Sequence, residues 1–163
     1  MKKSDSLQSR ILSREELKQE VLRLRLKSKT IAFTNGVFDI LHEGHIAVLS
    51  EAASFADVLI VGINSDASVK KLKGENRPIN SEDSRAIVIA SLIMVDAVVI
   101  FDEETPIEII KLILPEVLVK GGDYSLDTIV GAKEVLDNGG RVEIIPMRAG
   151  FSTTKIINRI SGK

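Results

Sequence analysis

A regular alternation of short apolar runs with amphipathic segments constrains this chain most strongly. Five apolar runs of strand length can be read along it: TIAFTNG, DVLIVGIN, DAVVIF, EVLVKGG and RVEIIP. The segments between them carry apolar residues at helical spacing. Strands joined by helical crossovers form a parallel sheet with helices on both faces. The sequence therefore predicts an α/β fold with a doubly wound, five-stranded parallel sheet.

One helical segment precedes the first apolar run. Ser13 and Glu16 have the spacing of a capping box, and Leu17, Val21 and Leu24 share a helical face. Residues 1 to about 12 are polar and are expected to be poorly fixed. We assign residues 1–28 to an N-terminal helical extension and residues 29–163 to the domain that contains the sheet.

Composition excludes several functional classes. The net charge is −1, so no global positive field favours nucleic acid or membrane partners. The absence of cysteine excludes disulfides and thiolate chemistry. The N-terminus lacks the apolar segment of a secretory signal, and no run is long enough to span a bilayer. These features predict a cytoplasmic protein.

The stretch TNGVFDILHEGH holds both histidines of the chain, His42 and His45. A metal site, a catalytic pair and two solvent-exposed histidines are the competing interpretations. Two histidines are too few for a closed zinc site, even if Asp39 helped. The stretch follows a strand and opens a helix, where backbone N–H groups bind phosphate, and Gly44 leaves room for a ligand. This context favours imidazoles that stabilise charge on a phosphoryl group.

Three further stretches should reach the carboxyl edge of the sheet, where ligands bind in such folds. KKLKGENRP is either a solvated loop or a lid whose Lys73 and Arg77 close on a polyphosphate. VKGGDY is either a turn or a place where glycines admit a ligand and Asp123 accepts hydrogen bonds. GFSTTKII is either a plain helix cap or a phosphate site. Neither a Walker A motif nor a covalent triad is present, which favours a reaction whose nucleophile is the substrate.

Two of these motifs resemble the signatures of the nucleotidyltransferase superfamily. They are His42-Glu43-Gly44-His45 after the first strand and Ser152-Thr153-Thr154 at a late helix start. The additional stretches LKGENRPIN, VDAVVIF, ILPEVLVKGGDY and GFSTTKII resemble the adenylyltransferase domain of bifunctional ADP-heptose synthases. The resemblance implies a Rossmann-like nucleotidyltransferase fold in residues 29–163.

The resemblance also implies a reaction and a set of site residues. AMP would pass from ATP to D-glycero-β-D-manno-heptose 1-phosphate with Mg²⁺, giving ADP-heptose for lipopolysaccharide biosynthesis and pyrophosphate. The implied catalytic residues are His42, His45 and Lys73, and no side chain is assigned as a metal ligand. The implied nucleotide-binding residues are Asn35, Gly36, Val37, Phe38, Asp39, Gly44, Arg77, Gly121, Asp123, Ser152, Thr153 and Thr154.

Two departures from the family pattern bear on substrate and partners. A length of 163 residues leaves no room for a sugar-kinase domain, so we expect a separate heptose kinase upstream. Related glycerol-3-phosphate cytidylyltransferases have an arginine five residues before S-T-T, where this chain has Met147, followed by Arg148. The alternatives are a cytidylyltransferase for glycerol 3-phosphate or another small phosphate, and a catalytically silent nucleotide-binding protein. The resemblance also favours a homodimer.

Overall fold

The computed structural model describes residues 5–146 and 153–160. The strands are β1 (Ile11–Leu12), β2 (Ile31–Gly36), β3 (Val58–Asn64), β4 (Ala97–Phe101), β5 (Val117–Gly121) and β6 (Arg141–Ile145). The α-helices are α1 (Asp5–Gln8), α2 (Arg14–Leu26), α3 (Glu43–Ser54), α4 (Asp66–Lys73), α5 (Glu82–Ala90), α6 (Ile107–Ile113), α7 (Ala132–Asp137) and α8 (Thr153–Ile160). Within these residues, no helix has both the length and the apolar character needed to cross a membrane.

The strands form one parallel sheet in the order β1-β4-β3-β2-β5-β6. The predicted parallel α/β sheet is confirmed, with six strands rather than five. From β2 the chain builds outward through β3 and β4, and then returns to place β5 and β6 on the other side of β2. The switch point of the sheet, where ligands bind in open α/β folds, therefore lies at the carboxyl ends of β2 and β5.

Side chains alternate between two apolar cores, one on each face of the sheet. Phe33 packs in a cluster with residues of α2, α6 and α7, and we call this side the α2 face. Its chain neighbour Ala32 packs with residues of α3 and α5, on the side we call the α3 face. The alternation confirms that the sheet is doubly wound, because helices cover both of its faces.

The N-terminal residues are more ordered than their composition predicts. The expectation of a poorly fixed segment up to residue 12 is wrong for β1, which pairs in parallel with β4. The Arg10 guanidinium donates to the carbonyls of Ala90 and Val95, at 3.2 and 3.0 Å. These long-range bonds add the sixth strand, and a two-residue strand is too short for sequence periodicity to reveal.

The predicted helix after Ser13 is confirmed, together with its capping box. The Glu16 N–H donates to Ser13 Oγ at 3.2 Å, and the Ser13 N–H donates to the Glu16 carboxylate at 2.8 Å. Leu17 and its two predicted partners are buried in the same cluster as Phe33. A division of the chain at residue 28 stays a prediction.

Two predicted helices are shorter than their apolar patterns indicate. The apolar spacing of SEDSRAIVIASLIM predicts a helix with Ile93 facing the core. Helix α5 instead ends at Ala90, and Ile93 is 89% exposed. The stretch DTIVGAKEVLDNGG has the apolar spacing of a single helix. The structure has a 3₁₀ turn (Leu126–Thr128) there, followed by α7. Gly131 separates them at φ +84°, and a Cβ there would lie 2.5 Å from Ile110 Cδ1, so only glycine fits. The extended backbone of Ile129 and the left-handed backbone of Gly131 interrupt the helix.

Candidate active site

The two histidines lie together at the start of α3. His42 is the N-cap residue and has extended backbone angles, and the His45 N–H donates to its carbonyl at 2.9 Å. The two imidazole rings stack, with centroids 3.8 Å apart and planes 18° apart. Gly44 lies between them in the first turn of the helix. The predicted pairing of the histidines on one helix end is therefore what the structure has.

Burial keeps both imidazoles neutral near pH 7. Burial is the main cause that lowers the pKa of His45 to about 4, and the charges of His42 and Lys73 lower it further. Burial also lowers the pKa of His42. The Nδ1 atom of His45 is buried and has no hydrogen-bond partner among the described residues. A neutral imidazole carries one N–H donor and one acceptor nitrogen, so the pair can offer hydrogen bonds of both kinds.

Phe38 shapes the turn that connects β2 to the histidines. It adopts a left-handed conformation, at φ +49°, and only 8% of it is exposed. Its ring meets His45 edge to face, with centroids 5.3 Å apart. A Cβ on Gly36 would lie 3.1 Å from Phe38 Cε2, so the glycine allows this close packing. The packing of Phe38 against Gly36 and His45 thus fixes the position of the His45 imidazole.

Asp39 binds a neighbouring segment of the chain. Its buried carboxylate accepts hydrogen bonds from Arg77 Nε at 2.8 Å and from the backbone N–H groups of Ile79 and Asn80 at 2.9 Å. Burial alone would raise the pKa of Asp39, but these hydrogen bonds outweigh it and the pKa is lowered. Asp39, predicted to bind nucleotide, therefore holds residues 77–80 against the histidine loop.

The lysine-rich stretch is a loop only in part, because its residues 70–73 belong to α4 and its residues 74–78 follow that helix without regular structure. Ser65 caps this helix, with its Oγ accepting from the Ser68 N–H at 3.2 Å. Lys73 is exposed in its last turn, and Gly74 ends the helix at φ +92°. Although much of this side chain is exposed, partial desolvation of the Lys73 ammonium lowers its pKa, and nearby Arg77 lowers it further. Lys73 also acts on the pKa of His45, so the cation lies close to the histidine pair.

Gly121 accommodates a neighbouring side chain. A Cβ there would lie 2.8 Å from Cγ2 of Val48, on α3. The missing side chain therefore lets α3 pack against the end of β5, whereas the sequence suggested ligand access. Asp123 is exposed beyond this point.

The S-T-T motif is only partly within the described residues. Thr153 begins α8, and its Oγ1 donates to the Ile40 carbonyl at 3.3 Å. This contact joins the start of α8 to the loop that leads to the histidines. Ser152, the side chain of Thr154, Met147 and Arg148 lie outside the described residues.

Sequence reasoning missed Arg85, which is 1% exposed. Its guanidinium donates to the carbonyls of Val37 and Asn80 and to the Asp66 carboxylate, at 2.7, 3.0 and 2.8 Å. It thereby joins the turn after β2, the segment before α5 and the start of α4. In the sequence, Arg85 directly precedes Ala86, whose spacing places it on the apolar face of a helix, and this position could have indicated a buried arginine.

Sequence reasoning also missed Lys120, which is half-buried at the end of β5. Its Nζ donates to Asn35 Oδ1 at 2.5 Å, across the switch point from the end of β2. Burial lowers the pKa of Lys120 to about 8. The available signal was a lysine closing an otherwise apolar strand run.

Comparison with known proteins accounts for this arrangement. Residues 33–161 match the family described as cytidylyltransferase-like. The chain belongs to the cytidylyltransferase-like family. The predicted membership of the nucleotidyltransferase superfamily is thereby confirmed, and so is the expectation of a nucleotidyltransferase enzyme.

This cytidylyltransferase-like chain also has curated relatives of high identity. It is 51% identical over 154 residues to the bifunctional protein HldE of Rhodospirillum rubrum, covering 94% of this chain and 31% of that protein. It is 53% identical over 156 residues to a protein of the same name from Campylobacter jejuni subsp. doylei, covering 96% and 32%. The chain thus spans about a third of the length of these relatives.

Solved structures confirm the Rossmann-like fold. A lipopolysaccharide core biosynthesis protein from Thermoplasma volcanium superposes with a TM-score of 0.59 at 28% identity, covering 74% of this chain and 97% of that one. A pantoate-beta-alanine ligase from Francisella tularensis superposes with a TM-score of 0.61, covering 94% and 78%. At 17% identity the ligase establishes the fold alone.

The groups at this edge of the cytidylyltransferase-like domain suit the binding of phosphate. They are the N-terminus of α3, two neutral imidazoles and the cations Lys73, Arg77 and Lys120. Residues 5–146 and 153–160 contain no group of three or more His, Cys, Asp or Glu side chains that could hold a metal ion. The site can therefore bind anionic oxygens and stabilise negative charge that develops on them.

Proposed function

We propose that this chain transfers AMP from ATP to D-glycero-β-D-manno-heptose 1-phosphate, yielding ADP-heptose and pyrophosphate for lipopolysaccharide core biosynthesis. The stacked histidine pair at the N-terminus of α3, next to the switch point of the sheet, carries this proposal. The motifs shared with ADP-heptose synthases and the identity of about 50% to proteins named HldE support the choice of acceptor. The name of the Thermoplasma volcanium structure also refers to lipopolysaccharide core biosynthesis.

The proposed chemistry needs no nucleophile from the protein. A phosphate oxygen of the acceptor attacks the α-phosphorus of ATP, and the bond from that phosphorus to the bridging oxygen of the β-phosphate breaks. The electron pair leaves with pyrophosphate. The protein holds both reactants in line and stabilises the charge on the oxygens of the α-phosphoryl group.

The histidines, Lys73 and Arg77 would provide that stabilisation. A neutral imidazole donates a hydrogen bond through one ring nitrogen, and an approaching phosphate raises its pKa. Arg77 Nε is held by Asp39, while its Nη2 is buried and has no hydrogen-bond partner among the described residues. This nitrogen is suited to a β- or γ-phosphate oxygen. Asp39 would then act by holding Arg77 in place.

The remaining assigned residues would surround the nucleotide. Backbone groups from Asn35 to Phe38 would line the phosphates, and Ser152 to Thr154 would bind their outer oxygens. Asp123 would face the nucleoside or the sugar. Mg²⁺ would enter with ATP, held by phosphate oxygens and water, since Mg²⁺ commonly keeps such ligands. A cytoplasmic location is proposed because ATP is the substrate.

A sugar kinase that phosphorylates the anomeric hydroxyl is the proposed source of the acceptor. Assignment of that kinase to a separate protein stays a prediction, as does the homodimer. The family description also supports a second candidate function, which is that of a cytidylyltransferase acting on glycerol 3-phosphate or another small phosphate. The presence of both histidines and Lys73 weighs against a catalytically silent protein.

Pyrophosphate release tests the proposed function directly. ATP, CTP, GTP and UTP are each offered with heptose 1-phosphate and with glycerol 3-phosphate, in the presence of Mg²⁺. Release with ATP and heptose 1-phosphate alone is expected. Release with CTP and glycerol 3-phosphate would replace the proposal with the cytidylyltransferase. Retained ATP binding without turnover in any combination would favour the silent protein.

A further inference from the structure

Lys120 approaches the switch point from the α2 face of the sheet. Leu118, two residues earlier on β5, packs on that face, and alternation places Lys120 on the same side. On β2, Asn35 follows Phe33 by two residues, so it also lies on the α2 face. The hydrogen bond of 2.5 Å between the Lys120 ammonium and the Asn35 amide oxygen bridges the two strand ends. The bond therefore fixes the direction of the ammonium group.

Among the residues that the structure describes, none supplies a counter-charge to Lys120. Its hydrogen-bond partner Asn35 is neutral, and its register partner on β6 is the apolar Ile144. Burial is the sole cause of its lowered pKa, which indicates that no described carboxylate compensates the ammonium charge. A half-buried cation without a counter-charge costs folding free energy. Such a cation is suited to an anion that binds and leaves during turnover.

The histidine pair lies on the other side of β2. Helix α3, which begins at this pair, packs on the α3 face, whereas Lys120 projects on the α2 face. The two sets of donors thus flank the end of β2 from opposite faces. In-line phosphoryl transfer places the attacking and leaving oxygens on opposite sides of the phosphorus. A reaction between two phosphate-bearing substrates therefore needs donors on both sides.

We propose that Lys120, oriented by Asn35, binds the phosphate group of the acceptor and helps determine which phosphate esters the site accepts. This inference rests on the proposed function, because it assigns the acceptor side of that reaction. The ammonium takes up one or two phosphate oxygens and leaves another free to attack. Nucleotide binding is left to the histidine side of the site.

Steady-state kinetics separate the two substrates. K120M removes the charge and keeps a side chain of similar length, and K120R retains the charge. K120M is expected to raise the acceptor KM by roughly 10-fold or more, with the ATP KM changed less than about twofold. K133M is the matched control, since Lys133 is an exposed lysine on α7 and both kinetic constants should stay unchanged. An unchanged acceptor KM in K120M, or a rise confined to the ATP KM, would overturn the inference.

The pH profile provides a readout that a structural role would not change. In the wild type, kcat/KM for the acceptor should fall above a pH of about 8, as Lys120 loses its proton. Arginine stays charged throughout that range, so K120R should lose this alkaline decline. The same decline in K120R would assign it to another group and contradict the proposal.

A binding measurement distinguishes failure of this inference from failure of the proposed function. The Lys120 pKa is followed by NMR of ¹³C-labelled lysine, with K120R identifying the signal, while glucose 1-phosphate, glycerol 3-phosphate or inorganic phosphate is added. Absence of turnover with heptose 1-phosphate would reject the proposed function. A Lys120 pKa that still rises with a phosphate ester would support the phosphate site. A Lys120 pKa that none of these anions changes would reject the site.

Discussion

Single residues set the electrostatic state of the site. The His42 and His45 rings stack within 3.8 Å, and burial holds the pKa of His45 at about 4. A neutral pair avoids the repulsion that two adjacent imidazolium ions would have, and also avoids repelling Lys73. Once a phosphate binds, its charge raises the pKa of both rings. In the proposed reaction, the imidazoles would therefore respond to charge that develops on the α-phosphoryl group.

Replacing His45 tests this role. His45→Ala should lower kcat by roughly 10²-fold or more, as does loss of a preorganised charge stabiliser. His45→Asn keeps a side-chain N–H and should retain more activity than alanine. The measurement is single-turnover pyrophosphate release at saturating ATP, with ATP binding measured in parallel. Turnover of His45→Ala near that of the wild type would remove His45 from the mechanism.

At the scale of elements, Arg85 connects three segments that surround the site. Arg85→Met keeps much of the side-chain volume but leaves the carbonyls of Val37 and Asn80 and the Asp66 carboxylate without their donor. We expect the free energy of unfolding to fall by about 2–4 kcal/mol, measured by urea denaturation. Arg14→Met is the control, since its ion pair with Glu103 is exposed and worth at most about 1 kcal/mol. Equal losses in both variants would refute the special role of Arg85.

The contact between Gly121 and Val48 fixes α3 against the end of β5. Gly121→Ala should destabilise the protein by about 1–3 kcal/mol, because the new methyl group meets Val48 Cγ2 at 2.8 Å. Adding Val48→Ala should restore part of that loss. A double-mutant cycle of urea denaturation measures the coupling. Additive effects would show that the two positions do not compete for space.

Strands and helices could be predicted from the sequence where a short stretch of residues determines them. Five apolar runs and the Ser13 capping box identified the sheet and α2, and the histidine motif identified the start of α3. The sequence did not reveal α4, because charged lysines masked a helix set by a serine cap and one buried valine, Val69. Nor did it reveal the packing role of Gly121 or the hydrogen bonds of Arg85, which depend on residues distant in the chain. Long-range packing has no periodicity that a single sequence displays.

At the scale of the whole molecule, burial of the His45 imidazole makes the free energy of unfolding depend on pH. The folded-state pKa of His45, about 4, lies below its ordinary value of 6.5, so between these values the unfolded chain binds more protons. Stability should therefore decline as the pH falls from 6.5 towards 4. Asp39, with its lowered pKa, should add a further loss below its ordinary value of 3.8.

Urea denaturation from about pH 7.5 to about pH 4.5 measures this dependence. His45→Gln does not titrate, so its stability should decline less over the same interval. His42 also has a lowered pKa, so the stability of His45→Gln should still decline in part as the pH falls. Identical slopes for His45→Gln and the wild type would show that His45 is not protonated on unfolding in this range.

The placement of β2 between β3 and β5 has a consequence for synthesis. Strand β2 carries the histidine loop, yet its partner β5 begins only at Val117, and α8 reaches that loop later still. A nascent chain therefore presents both histidines long before the groups opposite them exist. Assembly of the site has to wait until β5 and α8 have left the ribosome, and the many contacts between distant residues favour slow folding. Premature release would yield a chain with its signature motif but without a working site.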